Sequence, residues 1–266
     1  MDGTTLNSTP ATTNKRKRIR PEYVIVGAFL ALAIGIATLL FMPRYYTFSA
    51  MGKLVPVRDL GIEGSVRFVY VNEGVARNWI ERWNAKQAYP DAEFERTDAS
   101  AFEEMEEMLD YGEEARDDTI LNALTSAEDE TEGYAEEDAF QSRLDELVEQ
   151  ASGYYGDSLG LMVSLGLVEE TRGEDFSQGG RYVIAGTGTI EYDHTVGSVG
   201  GIRDKLRTAE KFGADYFFVP KDKEDWEYVG LSNEEEAEEV ARELQLTLRV
   251  VPVDTMEDAL DFLDTL

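Results

Sequence analysis

The sequence predicts an α/β (α+β) fold behind one N-terminal transmembrane helix. Three observations lead there. Helical and strand patterns alternate over residues 153–266, which argues for helices packed on a sheet. An uncharged run fills residues 23–42. Between the two lies an acidic helical segment, in which residues 91–150 hold 23 Asp/Glu against 3 Arg and no Lys.

Taken in order, residues 1–21 read as a disordered tail that is rich in Ser, Thr and Asn and ends in a basic cluster, Lys15 to Arg18 with Arg20. Residues 22–43 read as the span. About twenty apolar residues at a rise of about 1.5 Å match a hydrocarbon core of about 30 Å. Tyr23 at one end, with Tyr45 and Tyr46 at the other, suits the interfacial aromatic belt. Thr47 to Ala50 is a weak cleavage site, which leaves a removed signal peptide as one alternative; a buried soluble helix is the other, disfavoured because no polar face interrupts the run. Basic residues ahead of the span favour a cytoplasmic N-terminus, placing residues 45–266 outside the cytoplasm.

Residues 44–127 begin with strand-like runs, Phe48–Val57 and Gly64–Val71, and turn helical and acidic from about residue 75. Phe102, Met105, Met108 and Leu109 recur at helical spacing, as do Leu121 and Leu124 and, further on, Leu144 and Leu147; each stripe is read as a packing face. Ala127–Ala135 reads as a solvated loop within an acidic linker, 128–152. From Gly153 a glycine-rich turn enters an apolar helix, Leu161–Val168. There follow a strand over Arg181–Ile190, a turn at Asp193-His194-Thr195, a helix over 202–212 and a strand at Tyr216–Val219. A capped helix at Ser232–Leu244, a strand at Thr247–Val253 and a last helix from Met256 complete the pattern.

Composition narrows the function. The net charge of −29 repels phosphate backbones, so no nucleic-acid partner is expected. With no cysteine there are no disulfides and no thiolate metal sites. Neither a cofactor nor a metal ion is expected.

The segment most suggestive of chemistry is Gly156-Asp157-Ser158-Leu159-Gly160, a serine on a glycine-flanked turn at a helix start. Small neighbours let a carbonyl approach, and free N–H groups at a helix N-terminus stabilise an oxyanion. Three readings fit the string: the Gly-x-Ser-x-Gly nucleophile elbow, the Gly-Asp-Ser-Leu esterase signature, or a plain helix cap. Both esterase readings need a histidine, and the chain has one, His194, in what reads as an ordinary turn. Lysine can activate a serine instead, where burial brings its pKa towards neutrality. The candidate is Lys205, after the Gly200-Gly201 pair that opens its helix and could seat it against the serine helix. Lys211 falls on another helical face, and Lys221 and Lys223 look exposed.

Two stretches carry a resemblance: Ile184-Ala185-Gly186-Thr187-Gly188-Thr189-Ile190 and Val196-Gly197-Ser198-Val199-Gly200-Gly201-Ile202-Arg203-Asp204-Lys205. They are similar to the Lon proteolytic domain around its catalytic lysine. The chain most resembles the membrane-anchored Lon-like peptidases of Gram-positive bacteria, the YlbL/SepM type. Those share the single span, the run here at Gly213–Lys221 and the Val251–Leu260 segment. The resemblance covers residues 153–266 closely and 45–125 more faintly.

It implies a Lon proteolytic-domain fold and a Ser158–Lys205 dyad, with Thr187 orienting the lysine and Gly156, Asp157 and Gly160 framing the serine. It also implies cleavage of a peptide or protein substrate without metal or ATP, no ATPase module being present in the 266 residues. Homo-oligomers are compatible with it. The chain departs from the family in two ways. The family's Gly-Pro-Ser-Ala-Gly is replaced by a string holding Asp157 and the bulkier Leu159, and residues 128–152 are too few for the usual PDZ domain. An ionised Asp157 directed at Lys205 would favour the ammonium form and weaken the base. The competing expectations are a catalytically impaired, tethered binding module, a histidine-dependent esterase and a membrane-surface adaptor acting through residues 91–150.

Overall fold

A computed structural model describes residues 20–222 and 230–266. Most of the expected N-terminal tail, residues 1–19, and Lys223 lie outside the described residues. The chain divides after Met42.

The first unit is helix α1, Pro21–Phe41. Proline at the first helical position needs no N–H partner, and the run behind it is apolar on all sides. No α1 residue is buried, and the helix is long and apolar enough to cross a membrane.

The second unit is a mixed α/β body with helices on both faces of a six-stranded sheet. The elements run β1 (Tyr46–Pro56), β2 (Arg67–Ala76), α2 (Trp79–Ala88), β3 (Glu93–Arg96), α3 (Ser100–Thr131) and α4 (Glu137–Gln150). Next come α5 (Gly160–Arg172), β4 (Ile184–Gly186), β5 (Thr189–Ile190), β6 (Val196–Gly197), α6 (Ile202–Lys211), β7 (Tyr216–Pro220), α7 (Asn233–Leu244), β8 (Arg249–Val253) and α8 (Met256–Leu263). The sheet order is β3-β1-β2-β4-β7-β8. β1 is antiparallel to β3 and β2, and the three remaining pairs are parallel.

The period of two along β7 sends neighbouring side chains to opposite faces. Phe218 joins Leu161, Leu165 and Leu260 on the side of α3, α4, α5 and α8. Phe217 and Val219 join Ile202, Leu206 and Val240 on the side of α6 and α7. α5 has no polar face because α3, α8 and the sheet cover it.

Several details differ from the sequence-based expectation. Helix α3 continues to Thr131, into the first part of the expected loop, because Ser126 and Ala127 are buried against the core; residues 132–135 are loop as expected. The stretch 128–152, expected as a linker, is the end of α3, a short connection and α4, whose Leu147 is 1% exposed. The expected Arg181–Ile190 strand is shorter and splits into β4 and β5, with a turn at Thr187-Gly188 between them. The acidic edge strand β3 has no counterpart in the expectation; Phe94 packs against Phe48 with ring centres 5.5 Å apart and anchors it. The stripe at Met105, Met108 and Leu109 is not core either. Met108 is 47% exposed, and the stripe lines a cavity.

A polar ladder positions the small β5–β6 hairpin on α3. Thr119 Oγ1 accepts the Ile190 N–H at 2.9 Å, and Asn122 Nδ2 donates to the Ile190 carbonyl at 2.9 Å. Two turns further along α3, Ser126 Oγ meets His194 Nδ1 at 2.6 Å. The residues preceding this hairpin belong to the site.

Candidate active site

Ser158 lies on the loop between α4 and α5, and α3 holds that loop in place. The Gly156 N–H donates to the Gly112 carbonyl at 3.0 Å, and Arg116 Nη1 donates to the Tyr154 carbonyl at 3.0 Å. A Cβ on Gly112 would stand 3.2 Å from the Gly156 nitrogen, so a larger residue there would push the loop by a few tenths of an ångström. Gly156 takes φ 82°, and Gly160 packs so closely that an added Cβ would fall 2.2 Å from Thr119 Oγ1.

The sequence-predicted residues converge. Ser158, Asp157, Gly156 and Lys205 line one cavity of about 490 Å³. The cavity's other walls are Tyr70–Glu73 of β2 and the Met105–Gly112 stretch of α3. Lys205 is only 4% exposed and donates from Nζ to Thr187 Oγ1 at 3.0 Å. Thr187 is fully buried and donates in turn to the Ser158 carbonyl at 3.2 Å, which also accepts the Gly188 N–H at 3.1 Å. Because the Thr187 proton is committed to that carbonyl, the oxygen's lone pairs are left for the lysine. The turn between β4 and β5 therefore ties the amine to the backbone of the serine. Ser158 Oγ and Lys205 Nζ make no direct hydrogen bond with each other. Gly160 and Leu159 are buried behind the serine.

The glycine pair does not seat α6 against α5, as the spacing suggested. A Cβ on Gly201 would meet Val71 and Glu73 of β2 at 3.3 and 3.5 Å, and α6 lies in the opposite layer from α5. Lys205 reaches past the end of β4 to Thr187 from that layer. Lys211 and Lys221 are exposed.

Burial is the largest influence on Lys205 and brings its pKa down from 10.5 to about 8, against the upward pull of Glu73, Asp157 and Glu236. No carboxylate lies within ion-pair distance of the amine among the described residues. Burial also raises the pKa of Asp157, with Lys205 pulling the other way. Both groups move towards their neutral forms. The backbone N–H groups of Ser158 and Leu159 make no hydrogen bond among the described residues.

His194 is engaged elsewhere. Its ring lies between Ser126 Oγ, at 2.6 Å from Nδ1, and Asp129 Oδ2, at 3.4 Å from Nε2. Three residue types of a hydrolase triad meet there, yet Ser126 is fully buried within a helix and offers no path for a substrate. Among the described residues, no group of three His, Cys, Asp or Glu side chains could hold a metal ion.

Sequence reasoning missed Gly112, Arg116, Glu73 and the methionine wall. The available signal was Gly112, a helix-weakening residue in the middle of an otherwise favourable helix. No protein-family model matches the chain, and no curated protein matches it.

Proposed function

We propose that the protein is a membrane-anchored, ATP-independent serine endopeptidase of the Lon-like kind, acting on peptides or unfolded segments outside the cytoplasm. The observation that carries this reading is the buried amine of Lys205, held by Thr187 and facing the same cavity as Ser158. The resemblance around Thr187 and Lys205 supports it independently of geometry.

In the mechanism, neutral Lys205 takes the Ser158 proton as Oγ attacks the substrate carbonyl. The unused N–H groups of Ser158 and Leu159 are available to the oxyanion. The ammonium so formed protonates the leaving amine as the C–N bond breaks. Water then adds to the acyl-enzyme, giving its proton to Lys205, and Ser158 is released with that proton. The Ser–Lys contact tightens when substrate excludes water from the cavity. Strand β2 pairs with β4 only at Arg67 and Phe68, so from Val69 onward its edge on that side carries no partner strand among the described residues. Tyr70–Glu73 of that edge line the cavity, and an extended substrate fits as an added strand.

The competing reading is a catalytically silent tethered module, favoured by the missing direct bond between Ser158 and Lys205. Peptidase assays on the full chain with an unfolded protein substrate test the proposal. Lys205→Ala is expected to abolish cleavage and His194→Ala to retain it. Loss only in the histidine variant would instead indicate a histidine-dependent hydrolase, and no cleavage by the parent chain would favour the silent module.

A further inference from the structure

Helix α2 carries no buried residue. Trp79, Arg82, Trp83 and Lys86 occupy positions i, i+3, i+4 and i+7, which share one helical face. Trp83 is 63% exposed and Trp79 39%. The Arg82 guanidinium lies over Tyr46, Trp79 and Phe94, with 4.6 Å to the Tyr46 ring centre, and Arg44 lies over Trp79 at 6.0 Å. Arg96 stands directly across from Tyr46 in the β3–β1 pairing.

These cations lack carboxylate partners in a strongly acidic chain. Arg116, Arg143, Arg172, Arg203 and Arg207 are all ion-paired, whereas Arg44, Arg82, Lys86 and Arg96 are not among the described residues. Three of the nearby acids are engaged elsewhere: Glu81 with Arg77, Asp91 with the Met51 N–H, and Glu93 with Arg207. Charge is also segregated along the chain. Residues 44–96 hold 8 Lys/Arg and 7 Asp/Glu, whereas residues 97–266 hold 12 and 45.

Tyr46 follows the last residue of α1 by five positions, so extended backbone keeps it within about 17 Å of the end of the span. Exposed indoles beside unpaired cations are the composition of a surface that lies in the headgroup layer of a bilayer. We propose that the α2 face, with Arg44, Tyr46 and Arg96, is a second membrane contact that rests on the surface of an anionic bilayer. The inference rests on the reading of α1 as a membrane anchor and on nothing in the catalytic chemistry. Docked this way, the exposed α2 face, with Arg44 and Arg96, is what meets the anionic headgroups.

The test uses the full chain with Trp226→Phe, which leaves Trp79 and Trp83 as the indoles. It is reconstituted into vesicles of phosphatidylcholine with one-third phosphatidylglycerol, with and without brominated acyl chains. A second variant replaces all three tryptophans by Phe and carries Phe41→Trp, reporting insertion of the span alone. Quenching of both variants, weakened at least twofold for the α2 indoles by Arg44→Gln with Lys86→Gln, is the expected result. Quenching of the Phe41→Trp variant alone overturns the α2 contact and leaves the anchor standing. Quenching of the α2 indoles alone supports the contact and removes the anchor; quenching of neither overturns both. Blue-shifted but unquenched α2 indoles show a protein partner or a second copy covering the face, and also overturn the proposal.

Discussion

Thr187 is the residue through which the site is coupled, since one hydroxyl accepts from Lys205 Nζ and donates to the carbonyl of Ser158. Thr187→Val keeps the shape and removes both bonds. It is expected to cost about 1–3 kcal/mol of stability by urea unfolding and to lower the rate of Ser158 acylation by more than that loss accounts for. Lys205 should appear in the pH profile. The base form predominates above about pH 8, so kcat/KM rises with pH up to that point and then levels. Asp157→Asn removes a charge that holds the amine towards its protonated form, and the rising limb should move to lower pH. The same amine costs stability. Its folded pKa lies below its unfolded one, so the native state binds fewer protons between about 8 and 10.5. Stability therefore rises with pH through that window, and the full penalty stands below it. Lys205→Met should accordingly raise the melting temperature at pH 7 while abolishing activity, the penalty removed being roughly 3 kcal/mol. That Ser158 and Lys205 share a cavity was legible from a glycine-flanked turn and a glycine-opened helix, whereas Thr187 came only from the resemblance. Glu73 was not legible, because only the folded sheet sets it beside Gly201.

At the level of elements, the helices were read well where caps or apolar runs marked them. The Ser232 hydroxyl accepts the Glu235 N–H, and the Glu235 carboxylate accepts the Ser232 N–H in return, a cap that its sequence suggests. The errors fall where tertiary contacts override local pattern. At the β4–β5 break Gly188 takes φ 148°, and the Thr187 hydroxyl and the Gly188 N–H turn away to bond the Ser158 carbonyl, a partner the local pattern does not reveal. In α3, one sequence stripe serves two purposes: Ile120, Ala123 and Leu124 are core, whereas Met105 and Met108 face the cavity. Gly112 is the position at which the helix backbone meets the Ser158 loop. Gly112→Ala should improve helix propensity yet displace that loop by a few tenths of an ångström. A fall of about tenfold in Ser158 acylation with a melting temperature within a few degrees of the parent is the expected outcome. Unchanged acylation would show that α3 merely covers the site.

For the whole molecule, the apolar α1 and the mixed α/β class were legible in composition and periodicity alone. The assembly of residues 44–266 into one body was not, because the acidic stretch 128–152 looks like a linker until Leu147 is seen in the core. Orientation is testable because the chain has no cysteine. A membrane-impermeant maleimide should label Ser152→Cys in intact cells and leave Thr5→Cys unlabelled until the cells are opened; the reverse pattern would place the α/β body inside. The central claim, that buried Lys205 activates Ser158, is tested most directly by labelling the bilayer-reconstituted full chain with a serine-reactive phosphonate across pH 6 to 10 and mapping the adduct by mass spectrometry. The account predicts an adduct on Ser158 whose rate climbs to a plateau above about pH 8 and vanishes in Lys205→Ala. An adduct that forms equally fast without the lysine, or no adduct at Ser158 at any pH, would contradict it.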